Sequence, residues 1–414
     1  MNYYLGIDFG TSGARAIVID EEQTIVSSQQ LQYGNLISDQ LAEIWKKTLA
    51  SLILKIPQII RKSIKAIAIN GTSSTVLLCD SLGNPVAAPI LYNDSRGQEV
   101  LDRLCAIAPS NHIVISATSS LAKLLWWQKQ SYFSQASYFL HQADWLAWLL
   151  HGQLGVSDYH NALKLGYDVD NLEYPAWLKD LPCTHLYPQV LAPGAIIKEV
   201  TPENCDRFDL PCDCIIRAGT TDSIAAFLAS GATQPGEAVT SLGSTLVLKL
   251  LSKTKVTASN YGIYSHKLGD LWLTGGASNT GGAVLKHFFT ADLIEQLSEQ
   301  IDPNIASELN YYPLIVPGDR FPINDPNLAP QLEPRPRDRV KFLYGLLTGI
   351  ARIEALGYEK LQANGANQLT HVYTAGGGAR NQVWGKIRQN YLSVPVSIAP
   401  NTDAAYGTAL LAAK

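Results

Sequence analysis

One pattern occurs twice in this chain of 414 residues and limits how it can fold. Near the N-terminus, an apolar stretch rich in Ile and Val leads through a turn of small residues, 10–13, into a second apolar stretch. The same order returns at residues 238–251. Two apolar runs joined by a short glycine-containing turn predict a β-hairpin. The repetition therefore predicts a duplicated fold in which each half begins with such a hairpin.

The segments after the first hairpin indicate the class of each half. Residues 24–31 predict a third antiparallel strand, apolar residues at helical spacing predict a helix over 39–56, and residues 64–70 predict a buried strand. Strand, strand, strand, helix, strand is the order of a ribonuclease-H-like α/β domain. We expect two such domains, 1–233 and 234–414, divided at Gln-Pro-Gly 234–236.

The charge balance excludes several classes of function. Lys and Arg total 32 and Asp and Glu total 36, so the net charge of −4 gives no basic excess for nucleic acid or an anionic membrane. No apolar stretch is long enough to span a membrane, and no secretory signal precedes the first strand. The six cysteines have no zinc-type spacing. We expect a soluble protein of the cytoplasm or an equivalent organelle stroma, with reduced thiols.

Asp8 and the turn after it carry groups that suit a cation and a phosphate. Asp8 ends the first strand, where its carboxylate can reach a bound cation. Gly10, Thr11 and Ser12 offer backbone N–H groups and hydroxyls with little bulk, which suits close approach by a phosphate. An ordinary hairpin, with Asp8 merely stabilising the turn, is the alternative. In the second half Ser241 stands where Asp8 stands in the first, so only one half has the carboxylate.

Two further motifs follow predicted strands of the first half. Thr72, Ser73 and Ser74 come after a buried strand, at the sheet edge where ligands of α/β proteins bind, and their hydroxyls would suit a polyol. An ordinary hydroxyl-rich turn explains them equally well. Asp222 begins a predicted helix, where capping explains it, and where the helix dipole would also keep it ionised and able to accept a proton.

Other polar segments of the first half give weaker signals. Asp94 and Arg96 lie two residues apart in a loop, where they would bind sugar hydroxyls or simply pair with each other. His160 has no nucleophile or metal ligand near it in the sequence, so we do not expect it to be catalytic.

Three consecutive glycines join a predicted strand to a helix near the C-terminus. Gly376, Gly377 and Gly378 are costly in chain entropy and make sense where a ligand lies flat against the backbone. Asn381 would then hydrogen-bond a base or ribose. Trp384 would either line the pocket or pack in the core. No P-loop occurs, so a nucleotide is not held in that manner.

Together these motifs resemble those of the FGGY carbohydrate kinases, in the superfamily that includes heat-shock chaperones and actin. The matching segments follow the family's order over essentially the whole chain: 6–11, 93–96, 219–222, 243–245 and 376–378. The resemblance implies two ribonuclease-H-like lobes with ATP and Mg²⁺ in a central cleft and a sugar beside the N-terminal lobe. Asp222 would be the general base, and Asp8 would position Mg²⁺ through water.

The resemblance also implies which residues contact the nucleotide. The phosphates would meet the two hairpin turns, and the adenosine would meet the glycine-rich loop. The expected contacts are Gly10, Thr11, Ser12, Gly243, Ser244, Thr245, Gly376, Gly377, Gly378, Asn381 and Trp384.

The sugar is the least determined part of this resemblance. Xylulose kinases of the family carry Gln-Met-His where this chain has Thr72-Ser73-Ser74, and most members are longer. Both features resemble a cyanobacterial and plant branch associated with D-ribulose, which predicts D-ribulose 5-phosphate as product. Ser73, Asp8 and Asp222 would surround the sugar, with Thr72 and Ser74 as neighbours.

Other functions remain open from the sequence. A xylulose, polyol or glycerol kinase is the alternative within the family, and an ATP-hydrolysing switch of the chaperone or actin type is the alternative outside it. A catalytically silent sugar sensor is disfavoured because both Asp8 and Asp222 are present.

Overall fold

The computed structural model describes residues 1–34 and 38–414. Its contacts divide the chain into two compact units, residues 1–229 with 403–414, and residues 230–402. The boundary near residue 230 lies close to the one expected from the sequence. The expected second domain, 234–414, differs from the observed unit because residues 403–414 pack with the first unit instead.

The first unit is built around a mixed β-sheet. Its strands are β1 (Tyr3–Phe9), β2 (Gly13–Ile19), β3 (Ile25–Gln32), β4 (Ile64–Gly71), β5 (Val76–Cys79), β6 (Tyr138–His141), β7 (Val156–Asp158), β8 (Gln189–Leu191), β9 (Ile196–Glu199) and β10 (Ile215–Thr221). The main sheet has the order β3-β2-β1-β4-β10-β9. β1, β2 and β3 are antiparallel neighbours, whereas β4 is parallel to β1 and β10 is parallel to β4. The predicted hairpin, third strand and ribonuclease-H-like order are confirmed.

The first unit also contains helices, several of which contact the main sheet. They are α1 (Leu41–Lys55), α2 (Gln58–Arg61), α3 (Leu101–Ile107), α4 (Ser120–Trp127), α5 (Gln142–His151), α6 (Tyr159–Ala162), α7 (Ala176–Lys179), α8 (Pro202–Phe208) and α9 (Asp222–Ala229). α1 buries Trp45, Leu49 and Leu52, which share one helical face. It ends before Ile56, which is extended because the following Pro57 disfavours the helical backbone there. Each fully buried Leu or Ile stabilises this core by roughly 1.5–3 kcal/mol.

The second unit repeats the architecture of the first. Its strands and helices are β11 (Glu237–Leu242), β12 (Leu246–Ser252), β13 (Tyr264–Leu268), β14 (Leu271–Ser278), α10 (Gly282–Phe288), α11 (Ala291–Ser298), α12 (Arg339–Ala363), β15 (His371–Ala375), α13 (Gln382–Leu392) and β16 (Val396–Ile398). The sheet order is β13-β14-β12-β11-β15-β16, with β11 and β12 forming the hairpin and β15 parallel to β11. The duplication predicted from the repeated pattern is confirmed.

The C-terminal helix α14 (Ala404–Ala412) packs on the first sheet. Two glycines allow its close approach. A Cβ atom at Gly6 would lie 2.1 Å from the carbonyl oxygen of Ala405, and one at Gly407 would lie 1.8 Å from that of Ala225 in α9. These backbone contacts explain why residues 403–414 belong to the first unit. In the part of the chain that the structure describes, no helix combines the length and apolar character needed to cross a membrane.

Candidate active site

The sheet of the first unit brings the two expected catalytic carboxylates to one edge. Asp8 lies near the end of β1 and pairs in register with Asn70 of β4, which in turn pairs with Thr220 of β10. Asp222 follows β10 directly and begins α9. Because the carboxyl ends of parallel strands meet at one edge, residues far apart in sequence become neighbours.

The surroundings of Asp8 make its charged form less favourable than that of an ordinary aspartate in the absence of a cation. Burial, followed by the negative charges of Asp222 and Asp403, raises the pKa of Asp8 to about 7, against the opposing charge of Arg15. Arg15 lies opposite Asp8 in β2, but its guanidinium pairs with the carboxylate of Asp403. Asp8 is therefore short of positive charge.

One oxygen of Asp8 suits a metal ion. Within residues 1–34 and 38–414, Oδ1 of Asp8 is buried and has no hydrogen-bond partner. A buried acceptor left without a donor costs roughly 1–3 kcal/mol, and more when charged. A cation, or water bound to one, would satisfy this oxygen. Mg²⁺ fits this donor, because it is commonly held by one or two carboxylates together with substrate phosphates.

Asp222 lies at the same edge of the sheet. It is partly buried, and its Oδ1 accepts a hydrogen bond of 2.6 Å from the backbone N–H of Ser223 at the start of α9. Burial lowers the pKa of the Lys164 ammonium, and the negative charge of Asp222 partly offsets this by raising it. The helix dipole and the N–H donor both stabilise the carboxylate form.

Buried polar groups lie behind Asp222. Nδ1 of His160 is 2.7 Å from the hydroxyl oxygen of Thr220, and both residues are buried. Asp158 accepts hydrogen bonds from the backbone N–H groups of His160 and Asn161 at the start of α6. Burial, with the charge of Asp144, raises the pKa of Asp158 to about 7. His160 therefore contacts the strand that leads to Asp222 and remains outside the predicted set of catalytic residues.

The turn after β1 leaves room for a ligand. Thr11 and Ser12 are exposed, and the N–H of Gly10 donates to the carbonyl of Gly13 at 3.0 Å. A Cβ atom at Gly10 would meet nothing nearer than 3.5 Å, so packing does not require glycine there. Gly13 differs, because its Cβ would lie 2.4 Å from the carbonyl oxygen of Leu31. The open side of this turn is consistent with phosphate binding.

The three hydroxyl residues after β4 have different surroundings. Thr72 is buried, and its hydroxyl lies 2.5 Å from that of Thr75. Ser73 is half-buried. Ser74 is buried with a φ of +65°, and its hydroxyl has no partner within the described residues. A non-glycine residue in the left-handed region is strained, and such strain is concentrated at functional sites.

A buried lysine holds the loop at Ser74. Nζ of Lys123 in α4 donates to the carbonyl oxygens of Ser74 and Leu91, both at 2.7 Å. Lys123 is fully buried, which lowers the pKa of its ammonium to about 7. Two loops that are distant in sequence are thereby tied to one side chain.

A cavity of about 130 Å³ lies beside this loop and is called here the N-terminal cavity. Its lining residues are Gly10, Thr11, Tyr33, Leu41, Trp45, Thr72, Leu91, Tyr92, Asn93 and Gln142. Gly10, Thr11 and Thr72 were expected near substrate or phosphate. Asn93 belongs to the matching segment 93–96, whereas no sequence motif pointed to the remaining residues, which only the folded chain brings together.

In the loop that contains Asp94 and Arg96, the two side chains pair with each other, which was the simpler of the two interpretations. Arg96 donates to Asp94 through Nε at 2.9 Å and through Nη2 at 2.7 Å, and its guanidinium also covers the ring of Trp126. This pairing lowers the pKa of Asp94. The pair accounts for both residues without a ligand.

The hairpin turn of the second unit adjoins a helix start. Gly282 donates its N–H to the carbonyl of Gly243 at 2.8 Å, and Ala283 donates to Ser244 at 3.0 Å. Ser244 is exposed and Thr245 half-buried. A Cβ atom at Gly243 would meet only the carbonyl oxygen of Thr245 at 3.7 Å. Like the turn at Gly10, this turn leaves space beside its backbone.

The three glycines after β15 fall into two kinds. Gly376 has a φ of +83°, and its Cβ would lie 2.7 Å from the carbonyl oxygen of Leu242. A Cβ at Gly378 would lie 2.7 Å from Leu242 and from the ring of Trp384. Gly377 has nothing within 4 Å of its Cβ position. Packing therefore requires Gly376 and Gly378, whereas Gly377 faces open space.

Two residues expected at the adenosine have structural roles. Trp384 is only 1% exposed, and its indole N–H donates to the carbonyl of Leu347 at 3.1 Å. This corrects its expected place in a pocket wall, because the ring packs in the core. Oδ1 of Asn381 accepts from the N–H of Trp384 at 2.9 Å, and Nδ2 donates to Ser298 at 2.8 Å. Asn381 caps α13, and both ends of its side chain are engaged.

Comparison with known families covers almost the whole chain. Residues 3–229 match the FGGY family of carbohydrate kinases, N-terminal domain, and residues 238–414 match the FGGY family of carbohydrate kinases, C-terminal domain. The chain belongs to the FGGY family. As an FGGY carbohydrate kinase it is an ATP-dependent phosphotransferase that binds ATP and a sugar. The switch of the chaperone or actin type is thereby excluded.

Individual FGGY kinases are similar at low identity. The chain is 22% identical to the xylulose kinase of Staphylococcus epidermidis over an aligned length of 443 residues. The alignment covers 99% of this chain and 87% of that protein. The structure of xylulose kinase from Rhodospirillum rubrum superposes with a TM-score of 0.84 at 22% identity, covering 100% of this chain and 89% of that one. The structure of Plasmodium falciparum glycerol kinase with ADP superposes with a TM-score of 0.84 at 19% identity. The superposition covers 100% of this chain and 89% of that one. These likenesses confirm the expected fold class.

Proposed function

We propose that this FGGY kinase transfers the γ-phosphoryl group of ATP to D-ribulose, giving D-ribulose 5-phosphate, with Mg²⁺ as cofactor. The observation that carries the proposal is the single sheet edge that holds Asp8, Asp222 and the strained loop of Thr72, Ser73 and Ser74. Short hydroxyls there can both donate to and accept from a small open-chain ketose.

Asp222 would act as the general base in this reaction. Its carboxylate would take the proton of the attacking sugar hydroxyl. Phosphoryl transfer has a loose transition state and depends chiefly on positioning and charge neutralisation, so a weak base is adequate. The hydroxyls of Ser73 and its neighbours would orient the sugar.

Asp8 and the glycine turns would hold the nucleotide and its metal. The unpartnered Oδ1 of Asp8 would bind Mg²⁺, directly or through water, and the metal when bound would neutralise phosphate charge. Backbone N–H groups at residues 10–12 and 243–245 would contact the phosphates, and the open side of Gly377 would face the adenosine. Trp384 and Asn381 are not included in this assignment.

D-xylulose is the second candidate substrate. It is favoured by the similarity to the Staphylococcus epidermidis xylulose kinase over nearly the full length of this chain. The residues after the strand glycine weigh against it, because this chain has three short hydroxyl side chains there.

A substrate panel tests the proposal. ADP release by the purified protein would be measured with D-ribulose, D-xylulose, glycerol and aldopentoses, with Mg²⁺ present and then removed by chelation. We expect the highest kcat/KM for D-ribulose and loss of activity without the metal. A clearly higher kcat/KM for D-xylulose or glycerol would refute the D-ribulose assignment and leave the kinase assignment intact.

A further inference from the structure

One tyrosine that lines the N-terminal cavity has a hydroxyl with no hydrogen-bond partner among the described residues. The hydroxyl oxygen of Tyr33 is buried, and within residues 1–34 and 38–414 it makes no hydrogen bond. Burial, and then the nearby charge of Asp8, raises the pKa of Tyr33, so the hydroxyl keeps its proton and remains a donor. Buried hydroxyls are normally bonded, so a ligand is the natural partner for this one.

A second donor reaches the same cavity from α5. Oε1 of the buried Gln142 accepts hydrogen bonds from the backbone N–H of Thr72 at 3.1 Å and from its hydroxyl at 3.3 Å. A backbone N–H can only donate, so this contact fixes which end of the amide is oxygen. These contacts engage Oε1, and Nε2 is the donor end of the same amide. The side chain therefore holds the hydroxyl loop with one end and offers a donor with the other.

The cavity wall that carries these groups is held in place from behind. Lys123 binds the carbonyls of Ser74 and Leu91, and the hydroxyl of Thr75 accepts the N–H of Tyr92 at 3.0 Å. The N–H of Gln142 donates to the carbonyl of Thr75 at 2.9 Å. Donors fixed in this way recognise a ligand with little loss of conformational entropy.

We propose that the N-terminal cavity binds the carbonyl end of an open-chain ketose, and that the Tyr33 hydroxyl and Gln142 Nε2 are the donors that recognise it. Both residues line the cavity and carry a hydrogen that can be donated, and a ketone oxygen accepts without having to donate. The cavity also adjoins Gly10, Thr11 and Thr72, so the rest of the chain of the sugar can extend toward the sheet edge with Asp8. This inference rests on the proposed kinase site and adds the residues that select a ketose.

Two variants test the donors with little other change. Tyr33→Phe removes only the hydroxyl, and Gln142→Glu keeps an acceptor for Thr72 but loses the Nε2 donor. KM and kcat would be measured for D-ribulose and for ribitol, in which a hydroxyl replaces the ketone. We expect each variant to raise the KM for D-ribulose about tenfold, the effect of one hydrogen bond near the top of its usual range. The KM for ATP should stay the same. The ratio of kcat/KM for D-ribulose to kcat/KM for ribitol should decrease.

Thermal unfolding separates a binding role from a structural one. Because the Tyr33 hydroxyl has no partner among the residues that the structure describes, Tyr33→Phe should leave Tm unchanged or raise it. Tyr311→Phe is the matched control, since that hydroxyl donates to the carbonyl of Pro334 at 2.6 Å, and it should lower Tm without changing the KM for the sugar. A lower Tm for Tyr33→Phe, or an unchanged KM for D-ribulose in both variants, would overturn the inference. Failure of the wild type to phosphorylate D-ribulose would instead refute the proposed function.

Discussion

The glycine-rich loop of the second unit allows the nucleotide site to be tested without disturbing the fold. The backbone conformation of Gly377 is one that non-glycine residues also adopt. Among the described residues, no atom lies within 4 Å of its Cβ position. Gly377→Ala should therefore be neutral or stabilise the protein by about 0.4–1 kcal/mol, because it reduces the freedom of the unfolded chain. Gly377→Val places more bulk in the space proposed for adenosine.

The neighbouring glycines are matched controls that predict the opposite result. Gly376→Ala combines a strained backbone, worth roughly 1–3 kcal/mol, with a contact of 2.7 Å to a carbonyl oxygen. Gly378→Ala meets the side chains of Leu242 and Trp384 at 2.7 Å, and overpacking of this kind costs about 1–3 kcal/mol. Both variants should unfold at lower temperature than the wild type.

Thermal unfolding and calorimetry with ATP distinguish the three positions. We expect Gly377→Val to keep the wild-type Tm, to lose most of its affinity for ATP and to keep its affinity for the sugar. ATP affinity equal to that of the wild type would remove the loop from the nucleotide site. A large fall in Tm for Gly377→Val would show that the space beside this residue is not open.

Three further predictions concern the carboxylates of the first unit. Asp222→Asn should abolish most sugar phosphorylation while leaving ATP binding, measured by calorimetry, nearly intact; near-normal turnover would disprove the base assignment. Asp8→Asn should weaken the dependence of activity on Mg²⁺, measured by metal titration, with little change in sugar affinity. Because the pKa of Asp8 is raised from 3.8 to about 7 in the folded protein, the folded state binds more protons than the unfolded state between these values. Without metal, Asp8 therefore makes stability fall as pH rises from about 4 to 7. Asp8→Asn should raise Tm more at pH 8 than at pH 5, and equal shifts at both pH values would refute this.

The local order of the chain was sufficient to predict the architecture. A hairpin depends on two apolar runs and the turn between them, and the helix at 41–55 depends on the spacing of Trp45, Leu49 and Leu52. These signals lie within a few residues of each other, so no distant contact is needed to interpret them. The resemblance to the FGGY kinases implied that Asp8 and Asp222 lie near one sugar, and the structure brings both residues to one sheet edge.

The environment of individual side chains depended on distant contacts. Trp384 had two interpretations until the carbonyl of Leu347 and the surrounding core showed that its ring is buried. Asp94 and Arg96 form an ion pair with each other, as one interpretation predicted. Gly376, Gly377 and Gly378 are identical letters in the sequence, yet only the position of Leu242 distinguishes those required by packing from the one facing open space.

The C-terminal helix and the N-terminal cavity were decided by tertiary structure alone. Residues 403–414 follow the second unit in sequence but pack on the first, because Gly6 and Gly407 allow helix and strand backbones to approach closely. The cavity joins Tyr33, Thr72 and Gln142, whose segments have no shared motif or period. The sequence determined the strands, the turns and the carboxylates, because local spacing specifies them. Which polar atoms are satisfied and which remain for a ligand was decided by packing between residues far apart in the chain.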